Sequence, residues 1–253
     1  MNNRIRNKGI DLVKIIAIIT MVIDHLRYIL PDYQLICIAF GRWAFIMFAC
    51  AMAYNAIQIF DHKKYDSLKS YFKNLVIFAV ISEIPYQLAS QGQNLGTMNI
   101  MITLFFGLLI ISAMNIKLHP LIKYITPASI IAFCYFINDR LQFGLLGVLL
   151  IVAYYLMFKN INSSLKYLFI PAVVVLAIAC NAQYYMELIS TLGFGSIWVY
   201  SMLIGCFSGV FASLLLSLGR IDLTPYKVNK IGKWAWWFYP VHLLIIGLIV
   251  KLV

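Results

Sequence analysis

Charge is scarce in this chain. Only 11% of its 253 residues are Asp, Glu, Lys or Arg, and only nine of those are acidic. A soluble domain usually carries about a quarter charged residues, so there is too little polar side chain here to clothe a globule in water. No Walker-type glycine-rich loop occurs, which argues against an ATP-driven pump. No close ligand spacing such as His-x-x-x-His marks a metal site. The five cysteines all lie inside apolar stretches, which argues against a disulfide framework and for buried thiols. The net charge of +11 does not point to nucleic acid, because the basic residues lack interleaved aromatics. Neither an internal repeat nor a low-complexity segment is evident, so the duplicated halves common in transporters are not found.

What is present is apolar sequence, 63% of the chain. A helix needs about 20 mostly apolar residues to cross the hydrocarbon core. Nine stretches qualify or nearly do: 10–30, 34–60, 72–90, 97–116, 120–137, 141–158, 165–182, 194–218 and 232–252. The fold class expected is therefore all-α, one polytopic transmembrane helix bundle over 1–253. The fifth and sixth stretches are short, with Asp139 and Arg140 at a tight turn between them. Losing that pair would leave seven spans. Arg4, Arg6 and Lys8 before the first run imitate a signal peptide, but the run is long and no small-residue cleavage site follows, so it reads as an uncleaved first span.

Orientation follows from lysine and arginine in short loops. With the N-terminus inside, 16 of the 20 basic residues fall inside: Arg4, Arg6, Lys8, Lys14, Lys63, Lys64, Lys69, Lys73, Lys117, Lys123, Lys159, Lys166, Arg220, Lys227, Lys230 and Lys233. Arg27, Arg42, Arg140 and Lys251 remain for the outer half. The largest connections are 61–71 and 219–231. His62 and His119 fall in basic loops and read as solvated, and Glu187 falls in an outer loop.

Ionisable groups at membrane depth are costly, so each marks a functional hypothesis. The first span carries Asp24 and His25, the second Arg42, the third Glu83, and the fourth begins at Asn99. The last carries Tyr239 and His242. Together they fit one polar pocket in the outer half of the bundle. The same residues also fit a plain reading: Arg42 clamping Asp24 or Glu83, and each histidine a satisfied interhelical partner. The chemistry such a pocket suits is proton removal from an attacking hydroxyl or amine, with His25 as base and His242 as a second base or substrate holder. Asp24 is a candidate to orient the base. Yet neighbours in a helix do not face each other, so Asp24 also fits as a partner of Arg42. Gly41 and Gly107 read as close-packing positions.

Four sequence elements in order carry a resemblance. They are Lys14 through Asp24-His25; Gly41-Arg42-Trp43-Ala44-Phe45-Ile46-Met47-Phe48; Phe78 through Glu83-Ile84-Pro85-Tyr86 with Asn99-Ile100-Met101; and Phe238-Tyr239-Pro240-Val241-His242-Leu243. Together they resemble the TraX family, named for the F-pilin N-acetylation protein. The chain departs at Ile46, where the family tends to have proline. Lys14 and His25, ten residues apart, also resemble a basic-x10-His pattern in the first span of membrane acyltransferases that acetylate envelope sugars. The resemblance implies a bacterial inner-membrane acetyltransferase with acetyl-CoA as donor. It implies a pilin or fimbrial subunit, or an envelope glycan, as acceptor. On that reading His25, Asp24 and His242 are catalytic, and Lys14, Arg42, Glu83, Asn99 and Tyr239 bind substrate. The rivals are a non-enzymatic factor for fimbrial assembly and a small transporter.

Overall fold

A computed structural model describes residues 6–116 and 120–252. Arg4, Lys117 and His119 of the reading above lie outside the described residues. Ten α-helices occur among the described residues: α1 (Lys8–Leu26), α2 (Gln34–Asp61), α3 (Tyr65–Ala89), α4 (Ile100–Asn115), α5 (Pro120–Phe136), α6 (Gly144–Lys159), α7 (Lys166–Ala179), α8 (Ala182–Leu192), α9 (Ile197–Ser217) and α10 (Trp234–Leu252). Among those residues there is no strand, only an isolated bridge between Met98 and Leu141. Each of the nine apolar stretches contains a helix.

Local signals explain the helix starts. Asn7, Asn99 and Ser196 each accept a hydrogen bond from a backbone N–H of the turn that follows, satisfying groups a helix leaves open at its N-terminus. Two elements differ from expectation. Residues 61–71 are not a loop, because α3 starts at Tyr65, with Asp66 in its first turn. An acidic residue there favours the helix N-terminus, so Lys69 and Lys73 ride on a helix. Glu187 lies not in a loop but on α8. This helix buries Tyr185 and Leu188 and exposes Met186 and Glu187, an i, i+3 pattern short enough to escape a search for 20-residue runs.

By length and apolar composition, α2 with its leading turn, α9 and α10 can each cross a membrane. A fourth span arises if α7 and α8, bent by 50° at their junction, act as one. Helices α4 and α6 have 16 residues, ~24 Å at the α-helical rise. The outward faces are apolar: Val80 and Ile84 on α3 are 72% and 71% exposed, and Ile204, Phe207 and Phe211 line the outside of α9. Water would not tolerate such continuous faces, and lipid covers them. The chain is an all-helical membrane protein.

Helix α2 is the central post, packed by α1, α9 and α6. Ala44, Ala49, Ala51, Ala53 and Ala56 along it are buried, small residues that let neighbouring backbones approach. Helix α10 runs parallel to α3: Trp236 packs on Tyr71 and Phe78, and further along, Gly247 meets Leu88 and Ala89. The connections sort into two ends. At one end Lys8 donates to the carbonyls of Leu223, Thr224 and Tyr226, Asn7 to Tyr54 and Ser217, and Tyr155 to Asn115. Most of the basic residues gather there. At the other end Met98 N–H donates to the Arg140 carbonyl at 2.8 Å and Asn94 to the Tyr28 hydroxyl.

Candidate functional site

The last turn of α1 and the middle of α10 bring together two buried histidines that are 217 positions apart. His25 Nδ1 lies 2.8 Å from His242 Nε2, with ring centroids 5.0 Å apart. His242 Nδ1 lies 2.9 Å from the Phe238 carbonyl. That second contact fixes the protons. A carbonyl only accepts, so His242 Nδ1 carries the hydrogen. In the neutral ring its Nε2 is then an acceptor, so the donor across the 2.8 Å contact is His25 Nδ1–H. The remaining nitrogen, His25 Nε2, keeps its lone pair, and no donor among the described residues reaches it. The chain Phe238, His242, His25 thus ends in a free base, with His242 holding the ring that acts.

Asp24 serves a different set. Its carboxylate takes Arg27 Nη1 at 3.0 and 3.1 Å and Arg42 Nη2 at 3.1 Å. No hydrogen bond joins it to His25 among the described residues. Arg42 spends its other donors on the Ile38 carbonyl and on Asn181, and lies 4.3 Å from the centre of the Tyr184 ring. Arg42 therefore ties α1, α2 and the α7–α8 elbow together. Gly41 explains how Asp24 gets in: a Cβ there would fall on the Asp24 carboxylate. Gly41→Val is expected to expel the carboxylate and lower stability by about 1–3 kcal/mol, read by thermal unfolding in detergent. Gly195→Ala, with open space around it, should unfold like the parent chain. Equal melting of Gly41→Val and the parent would contradict this packing.

Glu83 and Asn99 form a third, separate group. Glu83 Oε2 accepts from the backbone N–H and side-chain amide of Asn99 at 3.1 and 2.7 Å, and Oε1 accepts from Gln87 at 2.8 Å. Asn99 also caps α4 and donates to the Ala79 carbonyl. This joint fastens α3 to the start of α4, and Glu83 does not pair with Arg42. Tyr239 is buried, with its ring 5.7 Å from that of His242.

Lys14 and Tyr239 share a cleft of about 960 Å³. Its mouth, at the basic end, carries Arg6, Lys14, Lys64 and Lys230 beside Asp11 and Asp66, and Asp11 holds the Arg6 guanidinium at 2.6 Å. Its floor is apolar, with Ile18, Met21, Met52 and Leu104, and it ends at Tyr239. Met21 is one helical turn from His25, ~6 Å along the axis. The size falls within the usual range for small-molecule and cofactor sites, about 300–1,000 Å³. Among the described residues no three His, Cys, Asp or Glu side chains gather as a metal site, and all five cysteines are free.

Sequence reasoning placed Arg27 in the outer half without a role and passed over Tyr28, Asn94 and Asn181. Arg27 had a signal, its i, i+3 spacing from Asp24. Asn181 had none, because it is brought to Arg42 only by the bend between α7 and α8.

No curated protein and no solved structure matches the chain. A family model described as TraX protein matches residues 9–250, a span that takes in the histidine pair, the arginine clamp and most of the cleft. The chain belongs to the TraX family.

Proposed function

We propose that this protein is a bacterial inner-membrane acetyltransferase that moves an acetyl group from acetyl-CoA to a pilin N-terminal amine or an envelope hydroxyl, in the service of pilus or fimbria biogenesis. The observation that carries the reading is the free Nε2 of His25 one turn from the floor of a cleft whose mouth is basic. In this reading the chain crosses the bilayer nine times with its N-terminus inside, supported by the loop-by-loop alternation of basic residues. The cleft then opens to the cytoplasm, where the donor is made. Its cations attract the phosphates of the donor, and the apolar floor takes the pantetheine arm and the acetyl group.

The step balances with groups already in place. The acceptor N–H or O–H gives its proton to His25 Nε2 as its heteroatom bonds to the thioester carbonyl carbon. The tetrahedral adduct collapses, the C–S bond breaks, and His25 returns the proton to the leaving sulfur. His242 stabilises the transient imidazolium by accepting from Nδ1–H. Arg42, Asp24, Glu83 and Asn99 form the frame that sets the helices around this base.

Intact-mass spectrometry of pilin and envelope glycans, with and without the gene, tests the reading. An acetyl mass difference is expected, and identical masses in both strains would reject it. With purified protein, Lys14→Ala is expected to raise the KM for acetyl-CoA about tenfold, from one lost charge-assisted contact of ~1.5 kcal/mol, with kcat little changed. An unaltered KM would remove Lys14 from the donor site.

A further inference from the structure

We propose that Tyr28 is a catalytic residue, donating a hydrogen bond to the acyl carbonyl oxygen while His25 takes the proton of the acceptor. The inference rests on the acyl-transfer reading and adds its electrophilic half.

Tyr28 lies in the turn that closes α1, where its N–H donates to the His25 carbonyl at 3.2 Å. Its ring is nearly parallel to the His25 ring, at 16°, with centroids 6.3 Å apart. The hydroxyl oxygen accepts twice, from Arg27 Nη2 at 2.9 Å and from Asn94 Nδ2 at 3.2 Å. A phenol oxygen has two lone pairs, and both are taken. Its proton finds no acceptor among the described residues. Arg27 also sits 4.8 Å from the centre of the Tyr28 ring.

Two valences are thus left open on two near-parallel rings whose centroids are 6.3 Å apart at the end of α1. One is a lone pair, His25 Nε2, which needs a donor. The other is a proton, on Tyr28, which needs an acceptor. Acyl transfer presents that complement: a nucleophile that must lose a proton and a carbonyl oxygen that becomes an oxyanion. A hydroxyl that already accepts from a guanidinium is polarised toward donation. As the nucleophile adds, the carbonyl electron pair moves onto oxygen and strengthens the hydrogen bond from Tyr28. As the C–S bond breaks, the carbonyl reforms and Tyr28 keeps its proton throughout. Arg27 and Asn94 act through Tyr28 in this scheme and touch no reacting atom, so they are positioning residues.

The test uses the purified full chain in lipid nanodiscs with acetyl-CoA and the acceptor identified by mass. Tyr28→Phe keeps the ring and removes the donor. Its kcat is expected to fall by about 10²–10³, the range for one lost oxyanion donor, with the KM for acetyl-CoA unchanged and the chain still folded. Wild-type kcat, or a change confined to KM, would overturn the role of Tyr28. If Tyr28→Phe does not fold, Asn94→Ala decides: a lowered kcat at constant KM supports the role, and an unchanged kcat overturns it. A wild-type chain with no acyl transfer is a separate result, overturning the acyltransferase reading together with this one.

Discussion

Replacing His25 with glutamine is expected to slow acyl transfer by about 10²–10⁴, the usual worth of a positioned general base. Glutamine fills most of the space and still hydrogen-bonds, but it has no nitrogen lone pair basic enough to take a proton. His242→Phe should cost nearly as much, although His242 never touches the acceptor. A phenyl ring preserves the stacking on Phe238, now at 5.3 Å between centroids. It removes the Nε2 acceptor that holds the His25 Nδ1 hydrogen in place. His25 is then free to put its proton on the nitrogen that must stay open. Residues that act as one unit lose their effect together, so the double variant should be no slower than the slower single. Steady-state rates of the four proteins check this. Multiplicative losses would mean two independent bases, and full activity of His25→Gln would remove the histidine pair from the chemistry.

The pairing behind that prediction was only half legible from sequence. Each histidine stood out because polar groups at membrane depth are rare. Nothing in the chain says that His25 and His242 meet, since the contact depends on where the end of α1 approaches the middle of α10. Helical geometry already turned Asp24 away from His25 and offered it to Arg42 in the sequence, and the structure adds Arg27 as its second partner. Glu83 and Asn99 were visible as polar groups, whereas their mutual hydrogen bonds became visible only with the α3–α4 turn. Tyr28 went unremarked, and Arg27 was placed in the outer half without a role, for a physical reason. Aromatic and basic residues at the end of a span are ordinary interfacial anchors, and only the hydrogen-bond inventory separates these two from that background. The helices themselves were legible wherever an apolar run approached membrane length. Helix α8 was not, because 11 residues with an i, i+3 burial pattern do not register in a 20-residue window.

Asp24→Asn is expected to destabilise the protein by about 3–5 kcal/mol, the range for breaking a buried ion pair by removing one partner. The size follows from the local charge count. Two guanidiniums, with side chains 10% and 2% exposed, share this one carboxylate. Asparagine leaves both cations facing each other out of water, with the Ile38 carbonyl, Asn181 and the Tyr184 ring as the remaining support for Arg42. Removing cation and anion together should hurt less than removing the anion alone. Asp24→Leu with Arg42→Met is therefore expected to recover part of the loss, since apolar replacement of a whole buried pair is often near neutral. Thermal unfolding in one detergent across the single and double variants reads the coupling. Additive effects would contradict the clamp. The same series separates fold from chemistry, because a clamp residue lowers the fraction of folded protein while each folded molecule keeps the His25–His242 contact. Activity per folded Asp24→Asn molecule should thus stay far above that of His25→Gln, and a loss as deep as His25→Gln would return Asp24 to the catalytic group.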